Sequence, residues 1–181
     1  MGRISLMFKS PTRRPGRLAF TDRWRPLRET MVFARRYHPN LAMTLPEKRG
    51  VLDEQGAIAV WMYELSRPRR LIGETYGVPV QAVLAEEDSE GKADLRPFAK
   101  QRALYVYSTT VLRQYEGGGL GKILKAYLLG RAFEAGYRWA VGHANKASLP
   151  LNLQFGARRG RRHGNWSGTG TSYWFYTLRL R

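Results

Sequence analysis

A glycine-rich turn between a predicted strand and a predicted helix constrains this chain more than any other feature. Residues 115–122 read Tyr-Glu-Gly-Gly-Gly-Leu-Gly-Lys, between a β-branched, aromatic run and an apolar helical pattern. Glycine allows positive φ and a close approach of the main chain to a ligand. A helix start adds unpaired N–H groups and the positive end of the helix dipole. The segment therefore predicts a site for a phosphorylated ligand.

The charge balance points to anionic partners. The 181 residues include 31 Lys and Arg against 14 Asp and Glu, which gives a formal net charge of +17. Such a charge favours binding of nucleic acid, anionic membrane or phosphorylated ligands, but it does not distinguish among them. A charge of this size can also serve only to keep the protein soluble. We expect an acidic or nucleic-acid-associated partner. We also expect a cytoplasmic or otherwise intracellular location, which includes association with a virus particle.

Several classes of site are disfavoured by residue content. The absence of cysteine excludes disulfides, thiolate metal sites and a cysteine nucleophile. The three histidines, His38, His143 and His163, have no close spacing to acids, so we expect no dedicated metal site. No apolar run approaches transmembrane length, and the N-terminus lacks the apolar core of a signal peptide.

The order of elements predicts one mixed α/β domain over residues 20–181, preceded by an extended basic arm over residues 1–19. The predicted elements in chain order are helices over 24–37 and 46–55, strands over 57–65, 71–83 and 103–112, a helix over 120–135, a strand over 137–144, a helix over 147–155 and a strand over 171–180. Residues 66–69 are predicted to form a hairpin turn, 85–96 a disordered acidic loop and 158–170 a basic loop.

The glycine turn matches neither of two common phosphate-binding motifs. A P-loop is excluded because no Gly-Lys-Ser/Thr ends the run. A Rossmann turn would follow the first strand of a βαβ unit and have an acid about 20 residues later, whereas this turn lies past mid-chain.

A second motif follows the next strand, where residues 145–157 read Asn-Lys-Ala-Ser-Leu-Pro-Leu-Asn-Leu-Gln-Phe-Gly-Ala. With this motif the chain resembles the GCN5-related N-acetyltransferase (GNAT) family. The matching positions in the first block are Val111, Gly119 and Gly121, and those in the second are Asn145, Ser148, Gly156 and Ala157. The resemblance covers residues 100–157 closely and 56–84 loosely, and two linked motifs in order are more specific than either alone.

The family's Arg/Gln-x-x-Gly-x-Gly/Ala pattern fits the turn in two frames. One frame starts at Gln114, but it places Lys122 where the following helix needs a core leucine. The frame that starts at Glu116 places Leu124 there, so helical packing favours it. It also puts an acid beside the expected pyrophosphate, a charge that Arg113 and Lys122 could offset.

The resemblance implies an acyl-CoA N-acyltransferase fold with acetyl-CoA as cofactor. The pyrophosphate would meet the glycine turn, and the pantetheine would pair with the strand that ends near Val111. The cofactor-binding residues implied in this way are Val111, Leu112, Arg113, Gly117, Gly118, Gly119, Leu120, Gly121, Lys122, Asn145, Ser148 and Asn152.

The residues available for catalysis depart from the family pattern. The family's usual acid is a tyrosine, but its position holds Asn152, and an amide cannot protonate a thiolate. Tyr107 and Tyr173 are alternative acids, and Glu74 and His143 are candidate bases. Each also has a purely structural interpretation, as part of a solvated strand face or of the sheet.

Two functions are consistent with these residues. The first is an acetyl-CoA-dependent N-acetyltransferase acting on a protein lysine, a protein N-terminus or a small amine. The alternative is an inactive protein of the same fold that serves as a basic nucleic-acid-binding or structural component of a virus or nucleoprotein particle. The arginines of 158–162 and His163 would lie near the acceptor side and favour an acidic partner in either case.

Overall fold

One mixed sheet of seven strands organises the part of the chain that the computed structural model describes, residues 17–22, 29–31, 43–65, 70–86 and 90–181. The strands are β1 Leu18–Thr21, β2 Ile58–Glu64, β3 Arg70–Pro79, β4 Ala103–Val111, β5 Trp139–Asn145, β6 Arg158–His163 and β7 Tyr173–Arg179. The α-helices with defined bounds are α1 Leu45–Asp53, α2 Val80–Ala85, α3 Lys92–Leu95, α4 Leu120–Glu134 and α5 Leu149–Gln154. None of these helices is long and apolar enough to cross a membrane.

The sheet has the order β1-β2-β3-β4-β5-β7-β6 and contains a single parallel pair among the described strands. That pair is β4 with β5, and every other neighbouring pair is antiparallel. The helix α4 connects the two parallel strands, as a crossover between parallel neighbours requires. The predicted mixed α/β architecture is therefore confirmed.

Helix α4 packs on one face of the sheet. Its buried residues Leu120, Leu124, Leu128 and Ala132 recur at helical spacing and pack against β2, β3 and β4. The other side of the sheet has its own apolar cluster, to which Leu95, Phe98 and Phe175 belong. The side chains of β4 alternate between the two faces of the sheet, so an apolar layer on each face is needed to bury them.

Two predictions between residues 71 and 96 are wrong in part. The strand β3 ends at Pro79, and Val80–Ala85 form a helix, because a short apolar run is compatible with either structure. Residues 92–95, predicted to be disordered, also form a helix. Leu95 is fully buried. Its burial holds this segment against the domain, although the acidic composition around it favours disorder.

Two strands were not predicted. The basic segment 158–163 forms β6, which pairs with β7 at the edge of the sheet and not with a second neighbour among the described strands. Its charged, exposed residues lack the alternation that marks a strand. Strand β1 pairs with β2, so the predicted boundary at residue 19 falls within a strand. The basic arm through residue 16, most of helix 24–37 and the turn 66–69 lie outside the described residues.

Candidate functional site

A cavity of about 810 Å³ opens where the two parallel strands separate. Strands β4 and β5 pair only at Ala103 with Trp139, Leu104 with Ala140 and Tyr105 with Val141. Beyond these pairs β4 continues to Val111 and β5 to Asn145, and the residues of both extensions except Gly142 line the cavity.

A bulge in β4 lies next to the point of separation. Tyr76 of β3 pairs with Ser108 and Gly77 with Val106, which leaves Tyr107 as the extra residue. Bulges bend a strand and increase its local twist, so this one accounts for the divergence of β4 from β5. Past Tyr105, the backbone groups of β4 that face β5 have no strand partner within residues 90–181, and an extended ligand could pair with them.

The glycine turn closes one end of the cavity. Gly117 and Gly119 have φ of 83° and 80°, a conformation that glycine adopts without strain. Gly119 is the N-cap of α4 and has no side chain to satisfy the first N–H groups of the helix. Those groups and the helix dipole can therefore receive an anion. Glu116, Leu120, Gly121 and Lys122 also line the cavity.

The second sequence motif also lines the cavity. The Asn145 side-chain oxygen accepts hydrogen bonds from the N–H groups of Ala147 and Ser148, at 3.1 and 2.9 Å, and from the Ser148 hydroxyl at 3.0 Å. Asn145 thus fixes the turn from β5 into α5. Asn152 is buried and donates through Nδ2 to the Ser148 carbonyl, whereas its Oδ1 has no partner among the described residues. Asn152 lines the cavity, so this oxygen is a candidate acceptor for a ligand.

Three of the predicted binding residues lie apart from the cavity lining, namely Leu112, Arg113 and Gly118. The N–H of Leu112 donates to the Ile72 carbonyl at 2.9 Å, so it is engaged within the sheet. The remaining predicted binding residues, together with Glu74, Tyr107, His143 and Tyr173, all line the cavity. The structure thus brings together most of the residues that the sequence motifs indicated.

Glu74 forms a buried ion pair that the sequence did not reveal. Its Oε1 lies 3.1 Å from Nζ of Lys48, and the two side chains are 3% and 1% exposed. Lys48 also lies 3.4 Å from the ring centroid of Tyr76. Burial raises the pKa of Glu74 and lowers the pKa of Lys48, because both lose hydration of their charge. Oε2 of Glu74 has no hydrogen-bond partner among the described residues.

His143 has both ring nitrogens engaged. Nδ1 lies 3.1 Å from the Tyr105 hydroxyl, and Nε2 lies 3.2 Å from Oδ2 of Asp94. Burial lowers the pKa of His143 to about 4, so the ring is neutral at physiological pH. A neutral imidazole with two occupied nitrogens is poorly suited to take a proton directly from an acceptor amine.

The family model of the GNAT acetyltransferases matches residues 37–157 of this chain. The chain belongs to the GNAT acetyltransferase family. Among curated proteins, none matches its sequence significantly.

Solved structures of GNAT proteins share the fold at low sequence identity. The chain is similar to Arabidopsis thaliana NAA60 in complex with acetyl-CoA, with a TM-score of 0.69 and 16% identity over 91% of this chain and 99% of that one. It is also similar to the ribosomal-protein-alanine N-acetyltransferase of Brucella melitensis, with a TM-score of 0.64 and 16% identity over 90% and 99%. An aminoglycoside 6'-N-acetyltransferase complexed with coenzyme A gives a TM-score of 0.66 and 11% identity over 92% and 98%. The predicted GNAT-like fold is confirmed.

Lys125 is a buried cation on the inner face of α4. Its side chain is 1% exposed and lines the cavity, and Nζ donates to the Tyr176 hydroxyl at 3.2 Å. Burial lowers the pKa of Lys125 to about 7. The sequence analysis did not predict a role for this residue. The signal that could have indicated it is a lysine directly after Leu124, on the apolar side of the helix.

We expect Lys125 to make the stability of the protein depend on pH. Below pH 7 the lysine is protonated in both the folded and the unfolded chain, and burial of its charge then lowers the free energy of unfolding the most. Between about pH 7 and about 10.5 only the unfolded chain keeps the proton, so the free energy of unfolding rises by about 1.4 kcal/mol per pH unit. K125M, which has no proton to lose, is expected to be more stable than the wild type at pH 7 and to lose this advantage as pH rises.

Urea unfolding at pH 7, 8 and 9 measures the difference between K125M and the wild type. The exposed Lys146 provides the control, and K146M is expected to follow the wild type at each pH. A constant difference between K125M and the wild type over this range would contradict the prediction.

Proposed function

We propose that this chain is an acetyl-CoA-dependent N-acetyltransferase that transfers an acetyl group to an amine. The observation that carries the proposal is the opening between β4 and β5, which leads directly to a glycine turn at the start of a helix. Membership of the GNAT family and the acetyl-CoA complex of a structural relative support it.

In this proposal the coenzyme follows the two lining walls. Its pyrophosphate binds the N–H groups at Gly119 and the start of α4, where Lys122 offsets the charge of Glu116. Its pantetheine pairs with the unpartnered side of β4 between Ser108 and Val111. Oδ1 of Asn152 accepts a hydrogen bond from the ligand, which would satisfy an otherwise unpaired buried oxygen.

Acetyl transfer requires a base for the amine and donors for the developing oxyanion. Glu74 is the stronger candidate base, because burial raises its pKa above the ordinary carboxyl value and one of its oxygens is unpartnered among the described residues. Free N–H groups of β4 near the bulge would stabilise the negative charge on the thioester oxygen. The amine nitrogen then forms the new C–N bond, and the C–S bond breaks with departure of the thiolate.

The thiolate needs a proton that Asn152 cannot supply. The Tyr107 hydroxyl donates to Oε1 of Glu86 at 3.0 Å, and burial, followed by that carboxylate, raises the pKa of Tyr107 well above its usual value. Tyr173 is half-buried, and it pairs across the strands with Asn145. Burial raises its pKa too, but the Asn145 side chain acts in the opposite direction. Tyr173 is therefore the better donor.

We expect Y173F to lower kcat by about 100-fold, as typical for loss of a general acid, with KM for acetyl-CoA little changed. Y107F is the matched control, because it removes the same hydroxyl from the same cavity, and it should change kcat by less than about threefold on the same argument. Steady-state kinetics with a thiol-detecting reagent measure both variants. Equal effects of the two variants would contradict the assignment.

The acceptor in this proposal is an amine on an acidic or nucleic-acid-associated partner. Four exposed arginines of β6, at 158, 159, 161 and 162, lie on the strand that leads towards Trp166, which lines the cavity. A positive field at a cavity mouth raises the encounter rate of anionic partners in a salt-dependent way. The structural relatives act on different acceptors, a ribosomal-protein alanine and an aminoglycoside, so the fold leaves the acceptor class open.

A second candidate is a binding protein of the same fold without transferase activity. Asn152 in place of the family's tyrosine and Glu116 in the glycine turn favour it. Its basic surface would then hold an acidic or nucleic-acid partner.

Calorimetric titration with acetyl-CoA separates the two candidates. Absence of binding at millimolar acetyl-CoA would overturn the proposed activity. Binding with thiol release on addition of a protein or small-molecule amine supports the enzyme, whereas binding without release for every amine tested supports the second candidate. Salt-sensitive retention on a nucleic-acid column tests the anionic partner separately.

A further inference from the structure

Three potential metal ligands from separate segments converge around His143, which lines the cavity. They are Asp94 on α3, His143 on β5 and His163 at the end of β6. Nε2 of His143 lies 3.2 Å from Oδ2 of Asp94, and Nε2 of His163 lies 2.6 Å from the same oxygen. The three ligand atoms all lie within 4.8 Å of one another.

The surroundings hold these side chains in place. The side chains of His143, Asp94 and His163 are 1%, 11% and 16% exposed. Trp166 packs against His143 with ring centroids 4.2 Å apart, and it meets His163 edge-on at 5.3 Å. Gly91 has a φ of 80°, and a Cβ there would lie 2.7 Å from Nε2 of His143. Only glycine allows the chain to pass so close to this nitrogen.

The ligand types and spacing suit a divalent transition metal. Two imidazoles and one carboxylate, with open positions for water, are a known ligand set for zinc and non-haem iron. Bond lengths of about 2.0–2.1 Å in a tetrahedron place neighbouring ligand atoms about 3.3 Å apart. The distance from His143 to Asp94 matches this value, and His163 needs to move outward by about 0.7 Å from its 2.6 Å contact to match it.

The far nitrogen of His143 already has the partner that a metal ligand needs. Histidines that bind metals through Nε2 almost always donate from Nδ1–H to a nearby oxygen, which fixes the orientation of the ring. The Tyr105 hydroxyl lies 3.1 Å from Nδ1 of His143 and can accept that hydrogen bond. The cluster thus has both the ligands and the support of a metal site.

We propose that Asp94, His143 and His163 bind one divalent transition-metal ion, for which Zn²⁺ is the appropriate probe. The ion would take the place of the two N–H protons that otherwise lie between the imidazoles and the carboxylate, and each neutral ring would then carry its proton on Nδ1. It would tie α3, β5 and β6 together near Trp166, which packs against both histidines and lines the cavity. This inference is independent of the proposed acetyl transfer, because it concerns binding of the metal alone.

Metal binding is tested on the full chain after treatment with a chelator. We expect calorimetric titration with Zn²⁺ to give one tight site per chain. Titration with Co²⁺ should give the visible d–d absorption of a low-coordinate site with nitrogen ligands. H163Q and D94N should each weaken Zn²⁺ binding on the order of 100-fold, because each removes a ligand. D53N is the matched control, since Asp53 is an exposed acid on α1, and it should bind Zn²⁺ as the wild type does.

Hydrogen exchange adds a readout that does not depend on affinity. Zn²⁺ should slow amide exchange over residues 90–98 and 158–168 in the wild type and leave it unchanged in H163Q, whose fold is checked by circular dichroism. Failure of the wild type to bind Zn²⁺, or equal affinity in the wild type, H163Q and D94N, would overturn the site. In that case Asp94 is an acceptor shared by two imidazole N–H groups.

Discussion

Gly121→Leu is expected to lose coenzyme binding while the protein stays folded. Gly121 lies at the start of α4 and lines the cavity beside the glycine turn. A Cβ at this position would lie 3.9 Å from Cγ2 of Val111 and 4.0 Å from Cδ2 of Leu151, which is ordinary contact. The branched end of a leucine extends further, into space that the proposed coenzyme needs. We expect acetyl-CoA affinity to fall by at least about 100-fold, or about 2.7 kcal/mol.

The same helix offers a matched control. Gly130 also lies within α4, and outside the adjacent residues and the backbone of that helix no described atom lies within 4 Å of a Cβ placed there. Replacing either glycine by leucine gains helix propensity of about 0.5–1 kcal/mol, so this effect is common to G121L and G130L. G130L should bind acetyl-CoA as the wild type does, and G121A should retain most binding because an alanine methyl fits.

Calorimetry and thermal unfolding of the three variants separate the possibilities. Loss of affinity in G121L together with an unchanged or raised melting temperature supports a coenzyme site at this turn. Wild-type affinity in G121L would contradict it. If G121L alone unfolds, G121A becomes the test, and the small loss of affinity that its methyl group causes should still exceed any change in G130L.

The second large effect is expected at the buried pair of Glu74 and Lys48. E74Q keeps the shape of the side chain and removes the proton acceptor, so kcat for acetyl transfer should fall by about 10²–10⁴-fold. The effect on folding should be smaller than in E74L. E74L leaves the buried Lys48 ammonium with neither a charged partner nor the hydrogen-bond acceptor that the glutamine oxygen still provides, and breaking such a pair costs about 3–5 kcal/mol.

K48M distinguishes a catalytic role of Glu74 from a structural one. It breaks the same ion pair but keeps the carboxylate, and removal of the positive neighbour raises the pKa of Glu74 further. A base must be deprotonated, so the acidic limb of the kcat profile should move to higher pH in K48M, with activity retained above it. Rate profiles of wild type, K48M and E74Q from pH 5 to 9 provide the measurement.

A structural role would give a different pattern. If Glu74 serves only to pair with Lys48, then E74Q and K48M should lower stability to a similar extent and leave the pH profile where it is. E74Q with a kcat within about twofold of the wild type would exclude Glu74 as the base, because loss of a general base costs at least about 100-fold.

Most of the residues that the sequence motifs indicated line one cavity, and the reason is local. The glycine turn and the segment from Asn145 to Ala157 each act through consecutive residues, whose backbone conformations follow from residue type. The preferred motif frame, with Glu116 first and Leu124 in the core, agrees with the buried position of Leu124 on α4. Within such segments, residues that are near one another in the sequence are also near one another in the structure.

The residues that the sequence did not predict depend on contacts between distant segments. Lys48 meets Glu74 across 26 positions, and His163 meets Asp94 across 69. Asp94 lies in a segment whose acidic composition indicated disorder. His163 follows a run of arginines that was predicted to be a loop because of its charge, but that forms a strand. Their proximity results from the strand order, in which β6 reaches β5 only through β7. No spacing rule encodes that order.

The arginines of β6 have a consequence that does not involve any partner. Among the described strands, β6 pairs with β7 on one side and ends the sheet on the other, so it presents unpaired backbone groups at an edge. Such edges recruit strands of other molecules unless charges oppose the approach. Four exposed arginines on this strand repel a second copy of the same edge. We therefore expect part of the high positive charge to oppose self-assembly into extended β-structure, and we expect neutralisation of these arginines to favour aggregation even where the fold is intact.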